Sequence, residues 1–173
     1  MSQGLLVINA GSSSIKFSVF ALPADGGDLA LVCRGLQENL GEENPHFKAF
    51  DHGGRVLTDI RPAPPSGKYR KLGPDFRRRA NDTRPSAAGD EVYDHRAALR
   101  DLLSWLGTVP GLPEVIAAGH RVVHGGKEFS DPQRLTPEIM ARLETFVPLA
   151  PLHQPRNLAG IRALTAVRPD LPQ

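Results

Sequence analysis

An aliphatic run over Gly4–Ala10 (GLLVINA) is followed, after only three small residues, by an alternating run over Ser14–Ala21 (SIKFSVFA). The first reads as a short, fully buried strand. In the second, Ile15, Phe17 and Val19 fall on one side, and Lys16 and Ser18 on the other, as the period of a strand requires. Gly11-Ser12-Ser13 is a tight turn between them, so the chain opens on a hairpin. Ala24–Asp28 is a further turn, and Leu29–Leu36 a third strand. Phe47–Phe50 and Arg55–Ile60 complete a second hairpin around His52-Gly53-Gly54. The first third is thus expected to be a β-meander.

The pattern then changes. Arg61–Asp90 holds Pro62, Pro64, Pro65, Pro74 and Pro85 and the run Arg77-Arg78-Arg79, and reads as a long, mobile excursion with little core of its own. Beyond it, Leu99, Leu102, Leu103 and Leu106 recur at helical spacing, predicting an amphipathic helix over about Asp94–Leu106. Val115–Val123 reads as a strand. Thr136-Pro137-Glu138 starts a second helix, with an N-cap hydroxyl, a proline in the first turn and an acid beside the positive end of the dipole. Ile139, Leu143, Phe146 and Val147 are its expected buried face, and Pro148 stops it. Pro148–Pro155 reads as a stiff, extended loop, and Arg156–Val167 as a last helix with Leu158, Ile161 and Leu164 inward. Strands first, then helix alternating with strand, predict an α/β domain: a mixed sheet with an N-terminal meander and flanking helices.

At 173 residues the chain is sized for one domain, taken here as residues 1–173. The net charge of +2 does not argue for nucleic acid. The single cysteine, Cys33, excludes an internal disulfide and fits a reducing compartment. No signal peptide is recognisable and no apolar run is long enough to span a bilayer, so a soluble, cytoplasmic protein without membrane partners is expected.

Three segments carry candidate chemistry. In Asn9-Ala10-Gly11-Ser12-Ser13-Ser14-Ile15-Lys16, Gly11 lets the backbone approach a phosphate, the serines add hydroxyl donors and Lys16 adds a compact charge. Asn9 offers a neutral oxygen suited to a hard cation. The spacing is not that of a Walker loop, and a plain hairpin turn with serines capping backbone groups remains the alternative. In His120–Gly126 (HRVVHGG), Arg121 presents a planar fork that matches a carboxylate or phosphate; a structural ion pair is its alternative role. His120 and His124 would form a metal pair on a helix, but two valines and two glycines argue against a helix there. In Pro148–Pro155 (PLAPLHQP), His153 sits just before a helix, where it could donate a hydrogen bond to developing negative charge; taken alone it reads first as an ordinary polar residue with a partner.

The runs VINAGSSSIKF, AAGHRVVHGG and PLAPLHQPRNLAGI, in this order and at these separations, resemble the acetokinase family of acetate, propionate and butyrate kinases. The resemblance covers the start of the chain and about Ala117–Gln173. It implies a ribonuclease H-like domain of the actin and sugar-kinase type. It also implies reversible transfer of the ATP γ-phosphoryl group to acetate, giving acetyl phosphate and ADP, with Mg²⁺. By the same resemblance Asn9 helps hold Mg²⁺, and Ser12, Ser14 and Lys16 line the phosphate side of the cleft. Arg121 binds the carboxylate or acyl phosphate, Val123 and Leu152 line the pocket for the methyl group, and His153 lies by the transferring phosphoryl group.

Such kinases run to more than twice this length and form homodimers. The resemblance therefore implies an N-terminal domain without its C-terminal partner, inactive alone. Arg168–Gln173 reads as the lead-in to a strand bearing the family's essential aspartate, and Asp170 is not that residue. The alternatives are a propionate or butyrate kinase, and a non-catalytic remnant that still binds phosphate. A nucleic-acid surface over Lys68–Arg84 is disfavoured, since Tyr69 and Phe76 are too few for a stacking platform.

Overall fold

The computed structural model describes residues 2–63 and 92–173. Five strands lead: β1 Gln3–Ala10, β2 Ser14–Ala21, β3 Ala30–Glu38, β4 His46–Asp51 and β5 Val56–Ile60. Helix α1 (His95–Thr108), strand β6 (Glu114–His120), helix α2 (Pro137–Thr145) and helix α3 (Gln154–Val167) follow. The sheet order is β5-β4-β3-β2-β1-β6. β1 to β5 form an antiparallel meander, and β6 returns beside β1 in parallel. The expected mixed sheet is thus built around β1. The expectation for Arg61–Asp90, and the basic run Lys68–Arg84, fall almost wholly on residues outside those described.

Alternation decides which face is covered. Leu6, Ile8 and Ala10 of β1, Ile15, Phe17 and Val19 of β2, and Phe47 and Ala49 of β4 are buried on one side with Leu99, Leu102 and Leu106 of α1 and Leu164 of α3. On the opposite side Asn9 and Lys16 are exposed and Val7 is 41% exposed. β1 is therefore not buried on both faces as its continuous aliphatic run predicts. It is central in the sheet, but among the described residues both helices packed on it lie on one side.

Trp105 of α1 meets Phe17 and Phe47 edge-on, with ring centroids 6.3 and 5.2 Å away. Gly35 of β3 makes room for this cluster: a β-carbon there would stand 2.5 Å from the Phe17 ring and 2.5 Å from the Lys48 carbonyl oxygen. The start of α1 is pinned twice. Asp94 accepts the Ala97 N–H at 2.8 Å as N-cap, and buried Gln37 of β3 donates to the Ala98 carbonyl at 2.8 Å.

Two expected boundaries move. The strand predicted over Val115–Val123 ends at His120. Arg121 N–H makes one last ladder bond to the Ile8 carbonyl, at 3.0 Å, and β1 itself ends two residues later. Pro148–Pro155 is also not extended. Val147–Leu149 is a 3₁₀ turn, His153 N–H bonds the Ala150 carbonyl at 3.0 Å, and α3 begins at Gln154, earlier than Arg156. Proline fixes φ near a value that helical turns share with extended chain, so its stiffness does not choose between them. Of the buried face expected for the second helix, Leu143 of α2 and Phe146 just past its end are buried, while Ile139 and, in the 3₁₀ turn, Val147 are only partly covered; with Leu158 and Ile161 of α3 they form a second, smaller core.

Candidate functional site

The β1–β2 turn is narrow because the Gly11 N–H bonds the Ser14 carbonyl at 2.8 Å. Three carbonyls in and beside the turn are each held by a different part of the fold. Asn157 Nδ2 of α3 donates to Ala10 at 3.0 Å, His95 Nε2 of α1 to Gly11 at 2.8 Å, and the Leu40 N–H to Ser13 at 3.0 Å. A carbonyl only accepts, so the His95 proton is on Nε2. Burial holds this imidazole's pKa below its ordinary value, outweighing the bond to the Gly11 carbonyl, which by itself raises it.

With the acceptors tied back, the Ser12 and Ser13 N–H groups have no protein acceptor among the described residues. The turn thus offers two unpaired amides and nearby hydroxyls as donors, while the Ala10, Gly11 and Ser13 carbonyls are already engaged. Convergent unpaired amides make an anion-binding concavity. Lys16 lies directly across the ladder from Asn9, and both side chains are exposed on the open face of the sheet. Ile8 stands opposite His120 in the last pair of the β1–β6 register, and its carbonyl accepts the Arg121 N–H at 3.0 Å, so Arg121 leaves β6 beside the end of β1.

Arg121 is exposed, and among the described residues no carboxylate is paired with it. Other arginines are engaged: Arg142 with Glu128, Arg162 with Glu144, and Arg168 with Asp170. The two histidines flanking Arg121 are also engaged. His120 Nε2 meets Gln173 Oε1 at 2.8 Å, and burial pushes its pKa down to about 4. His124 Nδ1 accepts the Gly126 N–H at 2.9 Å.

The third segment joins the other two through α3. Gln154 Nε2 donates to the His124 carbonyl at 3.0 Å, which brings Leu152 and His153 to the chain just past Arg121. His153 is exposed at the N-terminus of α3. Val123 and Leu152 are 45% and 68% exposed, a high value for aliphatic side chains. The eight candidate residues thus lie on three segments that hydrogen bonds hold together.

For a cation the fit is partial. Among the described residues no group of three or more metal-ligating side chains occurs. Asn9 supplies one amide oxygen, and Lys16 beside it disfavours a bare divalent ion. Most ligands of any Mg²⁺ here would have to come from a phosphate-bearing substrate.

The acetokinase family's sequence profile matches residues 74–173. The chain belongs to the acetokinase family. Over 173 residues it is 37% identical to the acetate kinase of Rhodopseudomonas palustris strain CGA009, a match that covers all of this chain and 36% of that protein. To the acetate kinase of Syntrophobacter fumaroxidans it is 38% identical over 172 residues, covering 97% of this chain and 35% of that one. The crystal structure of Porphyromonas gingivalis acetate kinase superposes with a TM-score of 0.69 at 28% identity, over 99% of this chain and 36% of the other. A propionate kinase from Francisella tularensis superposes equally well, at 27% identity over the whole of this chain and 36% of its own. This acetokinase chain therefore spans about a third of the length of the relatives it matches, and its mixed sheet with flanking helices is the ribonuclease H-like fold they share.

In this acetokinase chain, sequence reasoning missed the residues behind the turn: His95, Gln154, Asn157 and Gly160. A β-carbon on Gly160 would stand 2.5 Å from that of Ala10, so α3 packs against the end of β1 only because residue 160 has no side chain. Asn157 and Gly160 lie within the quoted run PLAPLHQPRNLAGI, but nothing in their spacing assigns them a partner.

Proposed function

We propose that this chain is the N-terminal domain of an acetate kinase and supplies the phosphoryl- and carboxylate-binding side of its cleft. The observation that carries the reading is the β1–β2 turn with its Ala10, Gly11 and Ser13 carbonyls engaged, its Ser12 and Ser13 amides without a protein acceptor among the described residues, and Arg121, at the end of the strand next to β1, without a carboxylate partner among them.

In this reading the turn amides, the Ser12 and Ser14 hydroxyls and Lys16 cradle the oxygens of the transferring phosphoryl group. Arg121 grips the acetate carboxylate in bidentate fashion and orients one oxygen toward the γ-phosphorus. Val123 and Leu152 receive the methyl group, whose burial is a small but selective gain. His153 donates a hydrogen bond to charge that builds on the phosphoryl oxygens. Asn9 would touch, directly or through water, a Mg²⁺ carried in with ATP, which would supply charge neutralisation at the phosphates. The oxygen–phosphorus bond to acetate forms as the bond to ADP breaks, so the protein's task is positioning and charge stabilisation.

A remainder of the kind the relatives carry would supply the nucleotide side of the cleft, a soluble homodimer in the cytoplasm being the expected whole. Among the described residues no helix is long and apolar enough to cross a membrane. The likeness to a propionate kinase favours a longer carboxylate as the second reading.

The test is a hydroxamate assay of the purified 173-residue chain with MgATP and acetate or propionate. No turnover is expected from the chain alone. Turnover on the order of 1–100 per second would overturn the division of the site between two domains. Preference for propionate in the natural polypeptide would select the second reading.

A further inference from the structure

The two segments proposed to hold the substrate belong to different elements and share no strand pairing past Arg121. One side chain spans them. Asn157, 8% exposed, donates from Nδ2 to the Ala10 carbonyl at 3.0 Å and accepts the Val123 N–H on Oδ1 at 3.1 Å. Ala10 offers only an acceptor and Val123 only a donor, so a single orientation of the amide satisfies both. Ala10 immediately precedes Gly11, and Val123 is two residues past Arg121.

We propose that Asn157 is a positioning residue that sets the separation between the phosphate turn and the Arg121 segment. The inference rests on the reading that those two segments bind the two ends of one substrate. The bridge stands where the β1–β6 ladder gives out: Arg121 N–H takes the last ladder acceptor, and the next odd amide, Val123, is taken by Asn157 instead. Gln154, one turn earlier on α3, holds the neighbouring His124 carbonyl at 3.0 Å, and Gly160 seats the same helix against Ala10. Helix α3 therefore acts as a rigid jig, with Asn157 hydrogen-bonded to both sides at once. A substrate that reaches from the turn to Arg121 depends on this separation, whereas an anion held by the turn alone does not.

The variant that reads the bridge is Asn157→Asp. An ionised carboxylate still accepts from Val123 but faces the Ala10 carbonyl with an acceptor. Its protonated form is a near-isostere that restores both bonds, and burial favours that form. The natural polypeptide is titrated with acetyl phosphate, which spans both segments, and with inorganic phosphate, which needs only the turn. Near pH 8 the variant is expected to bind acetyl phosphate about tenfold more weakly than wild type, the value of one hydrogen bond. Phosphate affinity should fall by less than about threefold.

The ratio to wild type should return toward one near pH 5. His95, His124, His153 and Arg156, the titratable or charged residues on the segments that carry or adjoin the bridge, are present in both proteins, so the ratio to wild type removes their contribution. Equal losses for both ligands, no loss at pH 8, or a loss that acid does not relieve would each overturn the proposal. Arg121→Ala is the control for the underlying reading: if it leaves acetyl phosphate binding unchanged, the site assignment fails however Asn157→Asp behaves. Should the variant not fold, hydrogen exchange in the wild type decides. The Val123 amide lies outside any strand and should still exchange slowly, and rapid exchange would remove the bridge.

Discussion

His95 and Gly11 lie 84 residues apart in sequence and are joined by a 2.8 Å hydrogen bond from the imidazole Nε2 to the backbone carbonyl. The bond runs from the first residue of α1 to the first residue of the β1–β2 turn. It fixes one side of the turn from behind and leaves its amides facing outward.

Replacing His95 with phenylalanine should therefore cost more than the loss of a surface histidine. The Gly11 carbonyl would remain largely buried without a donor, a penalty of about 1–3 kcal/mol. His95→Gln keeps an N–H within reach and should recover part of it. Urea denaturation of the three proteins gives the comparison; equal stability for His95→Phe and wild type would show that the bond contributes nothing.

Acid should destabilise the fold between neutral pH and about pH 4. His120 is held neutral by burial, its pKa pushed from 6.5 down to about 4. Over that interval the unfolded chain binds a proton that the folded chain does not, so stability is full above pH 6.5 and falls as pH drops. The loss from this group is on the order of 3 kcal/mol. His120→Gln should flatten the acid limb of a stability–pH profile, and an unchanged slope would assign the limb to other groups.

His46 has the opposite sign. It lies between Asp59, 2.7 Å from Nε2, and Glu38, 3.2 Å from Nδ1, and these hydrogen bonds raise its pKa. Its stabilisation is complete below pH 6.5 and is lost as pH rises through the raised value. In His46→Gln, stability should stop declining with pH across that window. A decline as steep as in wild type would rule His46 out as its source.

Gly35→Ala and Gly107→Ala should move stability in opposite directions. At Gly35 the new methyl group meets a ring and a backbone carbonyl at 2.5 Å, so the Trp105–Phe17–Phe47 cluster must shift, at about 1–3 kcal/mol. At Gly107, in the last turn of α1, nothing lies within 4 Å, and alanine should stabilise by up to about 1 kcal/mol. Thermal unfolding midpoints decide, and a destabilising Gly107→Ala would mean that α1 needs glycine there for a reason other than space.

Arg121→Ala in the natural polypeptide should weaken both carboxylate affinity and turnover, since the same charge serves the bound and the reacting state. Arg121→Lys should restore only part, because an ammonium keeps the charge and loses the fork. Steady-state kinetics with acetate as the varied substrate measures both, and wild-type behaviour of Arg121→Ala would remove it from the site.

Local rules sufficed for the elements themselves. Alternation in SIKFSVFA set the buried face of β2, the leucine spacing set α1, and Thr136-Pro137 set the start of α2, because strand and helix periods and N-caps act over a few residues. The three motif segments were likewise legible as local sequence. What was not legible is what lies behind them. The exposed side of β1, the end of β6 at His120, the winding of Pro148–Pro155, and the hold of His95 and Asn157 on Gly11 and Ala10 all depend on which element arrives from 84 or 147 residues away. A backbone carbonyl accepts from any donor that reaches it, so sequence alone does not name its partner; only the packing of α1 and α3 on the sheet decides that.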